Sequence, residues 1–228
     1  MPSTVMLSTL RTNALARADV PSATLVSDTE LNGYINQAHR RIYRSIASGD
    51  GRDQFATSVS FSVSSGTDTY SFATVTGSTD DVMYVHGVDA QIDGNKWRTL
   101  RQYRFFDRNN RQDVGGWSLL DRPQYAIVGR QIRFLPDPSG SYTCRMWYTP
   151  EPAVLSSDSD TLTDHFGLSE YVELDAAIQV RAKEEADFRQ LLALRENVRK
   201  QILEDARPDA DFPKRIRDVT RHDEDIWR

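Results

Sequence analysis

Spaced carboxylates form the first pattern with a possible chemical use. Asp158, Asp160 and Asp164 lie within one short polar segment. Carboxylates at this spacing can bind calcium in an EF-hand loop, but that loop needs an oxygen ligand where Leu162 stands and a glycine where Thr163 stands. The segment is therefore interpreted as a polar loop that caps the next element, and no metal site is predicted there.

Four arginines form a second pattern. The segment Leu100–Gln112 has apolar residues at helical spacing, and Arg101, Arg104, Arg108 and Arg111 recur in it at i, i+3, i+7 and i+10. Four guanidinium groups on one helix face could contact a phosphate backbone or an acidic partner. The alternative is an ordinary solvated helix face, and the spacing alone does not decide between the two.

Catalytic signatures are missing from the sequence. It has no glycine-rich phosphate loop, no H-E-x-x-H and no G-x-S-x-G. Its four histidines are isolated, and His39 falls within a predicted helix as a surface or boundary residue. Cys144 is the only cysteine, so neither a disulfide nor a thiolate metal site is expected, and it is interpreted as a packing residue. We expect no enzyme activity, no metal and no cofactor.

Composition limits the remaining functions. The 228 residues carry 28 Lys plus Arg and 33 Asp plus Glu, which gives a formal net charge of −5. An acidic chain lacks the excess of basic residues that tight binding of nucleic acid requires. The segment Met1–Leu10 does not resemble a signal peptide, and no apolar run approaches the roughly 20 residues of a membrane span. We therefore expect folding in a reducing cytoplasm and no membrane partner.

The elements that position these residues begin with helices in segment 1–50. Apolar residues at three- and four-residue spacing, from Leu7 to Leu15, predict a first short helix that ends before Val20-Pro21. Ser27 and Glu30 then have the spacing of a capping box, which marks the start of a second, amphipathic helix. The apolar stripe of this helix consists of Leu31, Ile35, Ala38, Ile42 and Ile46.

Segment 51–155 changes to a period of two, which predicts strands. Apolar and polar residues alternate from Phe55 to Val63. Gly129 and Arg130 separate two apolar runs, and this spacing predicts a tight hairpin with glycine at the first turn position. Several short strands with frequent turns favour a small antiparallel β-sandwich or barrel, inserted between helical segments.

The helical pattern returns over segment 156–206. We predict one long helix from Ser169 to Asp205, roughly 50 Å in length, which pairs with the N-terminal helices as an antiparallel bundle. Segment 207–228 is predicted to be an extended C-terminal tail that orders only on a partner. The predicted fold is therefore α+β. Apolar residues of the tail are Phe212, Ile216, Val219, Ile226 and Trp227.

Three segments in order resemble a known family. The first is the capped helix T-E-L-x-x-Y-I-N-Q-A-H-R-R-I-Y (Thr29 to Tyr43), and the second is R-P-Q-Y-A-I-V-G-R-Q-I-R-F-L-P-D-P (Arg122 to Pro138). The third is Y-T-C-R-M-W-Y-T-P-E-P-A-V-L-S-S-D-S-D (Tyr142 to Asp160), which precedes the Ala- and Glu-rich helix. Their order and spacing resemble the head-to-tail adaptor, or connector, proteins of tailed bacteriophages and gene transfer agents.

The resemblance implies a structural virion protein of the neck region, made in the host cytoplasm. Members of this family form a ring, expected here to be dodecameric, beneath the portal. The ring extends the DNA channel and attaches the tail or nozzle, and DNA passes through it without specific binding. The implied partners are the portal protein, a tail or nozzle protein and neighbouring copies of the chain. The C-terminal tail is expected to dock on the portal, with Trp227 as an aromatic anchor.

A monomeric binding module is the alternative function. Its β-sandwich would recognise a carbohydrate or a peptide through clustered, exposed aromatic side chains, for which Trp97, Trp117 and Trp147 are the candidates. Trp147 has apolar neighbours in its predicted strand and is expected in the core, which disfavours this alternative.

Overall fold

The computed structural model describes residues 3–20, 25–49, 51–77, 82–93, 96–104, 106, 117 and 123–207. The helices are α1 (Leu7–Arg17), α2 (Asp28–Ser48), α3 (Phe72–Thr76), α4 (Leu168–Lys183) and α5 (Arg189–Asp205). The strands are β1 (Ser3–Met6), β2 (Thr57–Val63), β3 (Thr69–Ser71), β4 (Val82–Asp93), β5 (Lys96–Thr99), β6 (Arg101–Gln102), β7 (Gln124–Val128), β8 (Gln131–Leu135), β9 (Tyr142–Pro150) and β10 (Thr161–Asp164). The predicted α+β class is confirmed. No helix in the described part of the chain is long and apolar enough to cross a membrane.

The helical body consists of α1, α2, α4 and α5, and α4 lies at its centre. Most of the α4 side chains are buried, because α1, α2 and α5 all pack against this helix. On α2 the predicted apolar stripe is confirmed, since all five of its residues, from Leu31 to Ile46, are buried in the same core. Capping of α2 is confirmed as well, because the Glu30 amide donates to Ser27 Oγ over 3.3 Å.

The prediction of one long helix from Ser169 to Asp205 is wrong. The first helix ends at Lys183, and the chain turns at Glu185, which has a φ of 56°. The second helix, α5, then packs back along α4 and buries Val198 and Ile202. A continuous helix would have carried these apolar side chains away from the core, so the reversal buries surface that a straight helix leaves in water.

A two-stranded sheet joins the start of the chain to the segment before α4. Strand β1 pairs antiparallel with β10, from Ser3 opposite Asp164 to Met6 opposite Thr161. The sequence reasoning predicted neither strand. Because the two strands are antiparallel, α1 begins beside the start of β10, where the Leu7 amide donates to the Asp160 carbonyl over 2.8 Å, and α4 follows the other end of β10.

The β module is built from two four-stranded sheets. Their strand orders are β2-β9-β4-β5 and β3-β8-β7-β6, and every pairing is antiparallel except that of β6 with β7. The described strands therefore form two open sheets rather than a closed barrel. They share a core that includes Val63, Val88, Phe134, Cys144 and Met146. The packing role predicted for Cys144 is confirmed, and burial raises the pKa of its thiol to about 12.

One predicted turn of the β module is confirmed, and one predicted helix is wrong at its start. Strands β7 and β8 form a tight hairpin in which Gly129 has a φ of 61°, a conformation that glycine adopts without steric cost. The predicted helix over Leu100–Gln112 does not form at its start, because Arg101 and Gln102 form β6, which pairs with β7. Residues 107–112 lie outside the described part of the chain.

Candidate interaction surfaces

A buried carboxylate joins three helices of the helical body. Asp175 on α4 is almost fully buried, and its Oδ1 accepts a hydrogen bond of 2.8 Å from Arg195 Nη1 on α5. Its Oδ2 accepts from Arg41 Nη1 on α2 over 3.2 Å and from Gln179 Nε2 over 3.3 Å. A buried charge is costly unless it is paired and hydrogen-bonded, so these contacts fix α2 and α5 against α4.

A second buried carboxylate joins α1 to α4. Glu173 accepts a hydrogen bond of 2.7 Å from Asn13 Nδ2 and one of 2.9 Å from Arg17 Nε. Outside the core, Lys183 and Tyr34 both donate to Glu30 at the start of α2. These two hydrogen bonds, that of Lys183 first, lower the pKa of Glu30. The four helices are thus tied together by charged groups as well as by apolar packing.

The aspartate-rich loop uses its carboxylates to cap backbone groups. Asp160 accepts hydrogen bonds from the amides of Ser156 and Ser157 at 2.7 and 2.8 Å, and these bonds lower its pKa. Asp164 accepts from the Ser169 amide over 3.0 Å and from its hydroxyl over 2.8 Å, in the first turn of α4. The predicted capping role is confirmed for Asp164. Among the described residues, no group of three or more His, Cys, Asp or Glu side chains could hold a metal ion.

An arginine lies between two tryptophans on the outer face of the β2-β9-β4-β5 sheet. Arg145 Cζ is 4.3 Å from the ring centroid of Trp97 and 4.8 Å from that of Trp147. Asp89, on the neighbouring strand, accepts hydrogen bonds from Arg145 Nη2 (3.2 Å), Trp147 Nε1 (2.8 Å) and Thr99 Oγ1 (2.9 Å). The carboxylate balances the guanidinium charge and holds the Trp147 ring through its hydrogen bond.

The expectation that Trp147 lies in the core is wrong, since 36% of its surface is exposed. Alternation along β9 turns Cys144 and Met146 into the core and leaves Arg145 and Trp147 on the other face. Trp117 is buried instead, where its Nε1 donates to the carbonyl of Pro136 over 2.9 Å. The three tryptophans therefore do not share one surface. The i, i+2 spacing of Arg145 and Trp147 was the sequence signal for the pair.

The predicted arginine surface is described only in part. Arg101 lies on β6 and Arg104 follows that strand, and both side chains are exposed. The helical spacing that united them with Arg108 and Arg111 does not apply to a strand. Arg108 and Arg111 lie outside the described residues, as do the tail residues Phe212, Ile216, Val219, Ile226 and Trp227.

An open cleft of about 640 Å³ separates α2 from the chain that leaves the β module. Arg40 and Arg44 on α2 bind Glu151 across it, with nitrogen–oxygen distances of 3.1 and 3.4 Å. His39 lines the cleft and is half-buried, as expected for a boundary residue, and burial lowers its pKa to about 4. These ion pairs connect the helical body to the chain just after β9. No sequence pattern indicated that Glu151 would be the common partner of Arg40 and Arg44.

Comparison with known protein families gives a match over most of the chain. The model of the family described as SU10 adaptor protein matches residues 6–220, a range that includes both the helical body and the β module. No curated protein matches the chain.

Proposed function

The chain belongs to the SU10 adaptor protein family, and on that premise we propose that it is a head-to-tail adaptor of a tailed bacteriophage. The family supports a structural adaptor role in the virion, and we assign the chain no catalytic residues and no cofactor. The observation that carries the proposal is the extent of the match, residues 6–220, because it includes both folded parts and a portion of the C-terminal tail.

We place the protein in the virion neck, as a ring beneath the portal that is expected to be dodecameric. Each copy would extend the DNA channel and contribute to the attachment of a tail or nozzle protein. The ion pairs of Asp175 and Glu173 support this role, because they give each copy a rigid helical body for contact with its neighbours. The net charge of −5 suits a channel wall that DNA passes without binding.

The C-terminal tail (207–228) is proposed to dock on the portal. Ala206 is buried against Gly51, so the point at which the tail leaves the helical body is fixed. The tail then offers Phe212, Ile216, Val219, Ile226 and Trp227 as apolar contacts. A chain truncated after Arg207 is expected to keep its helical circular dichroism and to lose portal binding in a pull-down assay.

Point variants make the tail experiment sharper. Trp227→Ala removes the proposed anchor and is expected to weaken portal binding at least tenfold, since aromatic anchors at interfaces are worth about 2 kcal/mol or more. His222→Ala, a few residues earlier in the same tail, is the matched control and is expected to bind like the full chain. Unchanged portal binding by the truncated chain would contradict the docking role of the tail.

Arg101, Arg104, Arg108 and Arg111 are proposed to face an acidic neighbouring copy or the passing DNA. The exposure of Arg101 and Arg104 supports this, because neither side chain is needed in the core. Alanine at all four positions is expected to reduce ring formation or the retention of packaged DNA. Whichever of the two is reduced should also depend less on salt concentration than it does in the natural chain. If assembly, retention and salt dependence all stay unchanged, the four arginines are only solvated side chains.

A monomeric binding module is the second candidate function. The observation that favours it is the exposed aromatic patch of Trp97, Arg145 and Trp147, which could stack on a sugar ring or a peptide side chain. Titration with oligosaccharides, followed by tryptophan fluorescence, would separate the two candidates. Saturable quenching that Trp147→Ala removes, from a protein that does not bind the portal, would favour the binding module.

A further inference from the structure

Strand β2 is an open edge of its sheet. It pairs with β9 over all seven of its residues, from Thr57 opposite Tyr148 to Val63 opposite Tyr142, without a bulge. No other described strand pairs with its second side. Backbone N–H and C=O groups along that side are therefore available to a further strand, and edge strands of this kind readily pair with other chains.

The two edges of this sheet differ in how they are protected. Natural edges are blunted by short length, by charged side chains, by inward-pointing charges and by bulges. Strand β5, at the opposite edge, has these features: four residues, the cations Lys96 and Arg98, and a register shift in its pairing with β4. Arg98 lies opposite the buried Ala90, which places it on the core-facing side of the strand, and its side chain is exposed there.

Strand β2 has none of this protection. Its sequence, TSVSFSV, contains no charge, proline or glycine. Its core-facing side chains are also incompletely covered, because Val59 and Phe61 are only partly buried although both pack against the core of the β module. Helix α3 contacts β2, yet Ser58, Ser60 and Ser62 stay exposed beside it. A further strand would cover the apolar side chains and pair the free backbone groups.

We propose that the occupant of this edge is β2 of a second copy, paired antiparallel about a twofold axis at Ser60. This register sets Val59 opposite Phe61 and Ser58 opposite Ser62, and it pairs all seven residues. Aromatic and β-branched residues on one face, and serines on the other, are favourable cross-strand pairs. A shift by one residue would set core-facing side chains opposite solvent-facing ones, and a shift by two would shorten the pairing.

Charge and length together support a second β2 over the other described edges, since the uncharged edge strands β1 and β3 have only four and three residues. Two uncharged strands bring no like charges together, whereas β5 would carry Lys96 and Arg98 into the contact. β6 has only two residues and includes Arg101. Self-pairing joins two four-stranded sheets into one of eight strands, and such an isologous contact produces a closed dimer rather than a chain of copies.

The dimer is a form of the free protein and does not depend on the adaptor function. The proposed β2 contact has twofold symmetry. A ring with different partners on its two faces has no twofold axis in its plane, so it cannot contain this contact. The β2 pairs must therefore separate when such a ring forms.

Sedimentation velocity over a range of concentrations, together with cross-linking, tests the β2 dimer. The full chain is expected to sediment at twice its monomer mass of 25.9 kDa. Ser60→Glu sets two carboxylates opposite each other and is expected to raise the dissociation constant at least tenfold. Thr143→Glu is the matched control, because Thr143 is exposed on the adjacent strand β9, and it is expected to stay dimeric. Thermal unfolding of both variants checks that the monomer fold is unchanged.

Cross-linking identifies the strand that pairs. Cys144 is buried, so Ser60→Cys introduces a single exposed thiol that a short bifunctional maleimide should join to its counterpart. Thiols at position 143 would be about three strand spacings apart, roughly 14 Å or more, and should not be joined. A full chain that stays monomeric, a Ser60→Glu variant that stays dimeric, or equal cross-linking at both positions would overturn the proposal. Portal binding by Ser60→Glu is expected to be unimpaired, which separates this test from that of the adaptor function.

Discussion

Replacing Arg195 by glutamine tests how the buried carboxylate holds the helical body together. Arg195 Nη1 is 2.8 Å from Asp175 Oδ1, and the Asp175 side chain is only 2% exposed. The substitution removes the one hydrogen bond that Oδ1 accepts from the described residues, while Arg41 and Gln179 still donate to Oδ2. A buried oxygen of a charged group is then left without its donor.

The expected cost of Arg195→Gln is about 2 to 3 kcal/mol. A hydrogen bond to a charged group contributes about 1.5 to 3 kcal/mol, and breaking a buried ion pair costs about 3 to 5 kcal/mol. Two facts keep the expected cost of Arg195→Gln below about 5 kcal/mol. Arg41 still balances the charge of Asp175, and the substitution removes Arg195 Nε, a buried atom without a hydrogen-bond partner among the described residues. Arg199→Gln is the matched control on the same helix, because Arg199 and Glu196 are both about 40% exposed and their ion pair contributes less than about 0.5 kcal/mol.

Urea unfolding with two probes measures the effect. Trp97, Trp117 and Trp147 belong to the β module. In a Trp227→Phe background, tryptophan fluorescence therefore follows the β module, while far-ultraviolet circular dichroism follows the helices. With a slope of about 2 kcal/mol per molar urea, the midpoint by circular dichroism should fall by about 1 M in Arg195→Gln. It should scarcely move in Arg199→Gln. Equal shifts in the two variants would refute the role given to Asp175.

Two further predictions concern packing and pH. An alanine Cβ at Gly51 would lie 2.8 Å from the Ala206 carbonyl oxygen, so Gly51→Ala should lower the free energy of unfolding in urea by about 1 to 3 kcal/mol. Gly33 has open space around it, so Gly33→Ala should raise that free energy by about 1 kcal/mol. An unchanged free energy of unfolding in Gly51→Ala would contradict the close approach. Burial lowers the pKa of His39 from 6.5 to about 4, so the unfolded chain binds more protons in this interval and stability is lost as pH falls through it. His39→Gln should therefore lose less thermal stability than the natural chain between pH 6.5 and 5, and identical pH profiles would show that His39 is not responsible.

Local signals in the sequence were sufficient for several elements. The stripe of α2 follows from 3.6-residue spacing, its start from Ser27 and Glu30, and the β7–β8 hairpin from Gly129 between two apolar runs. In each case residues close in the chain determine the structure. Strands β1 and β10 could not be predicted this way, since four-residue strands more than 150 positions apart stabilise each other only by pairing.

The break between α4 and α5 did leave a signal. Ala182 and Leu191 are nine residues apart, which is about 180° around a helix, so the apolar stripe changes sides at this point. No glycine or proline marks the turn. The helical spacing on its two sides suggested one helix, because the change of the apolar stripe from one side of the helix to the other was not taken into account. The start of the predicted helix at Leu100 failed for another reason, because pairing of Arg101 and Gln102 with β7 overrides local spacing.

The partners of the charged surface residues depended on tertiary structure. The aromatic patch needs the register that sets Gly87 opposite Trp147 and Gln91 opposite Trp97. Strand alternation alone places Arg145 and Trp147 on one face, but it does not bring Trp97 or Asp89 to them. Sequence reasoning therefore found the framework of the fold more readily than the surfaces on which an adaptor would act.

Electron microscopy of the full chain mixed with its portal tests the adaptor function most directly. A closed ring of copies on one end of the portal, coaxial with the DNA channel, is the predicted result. Portal particles without added density, beside a protein that stays free in solution, would contradict it.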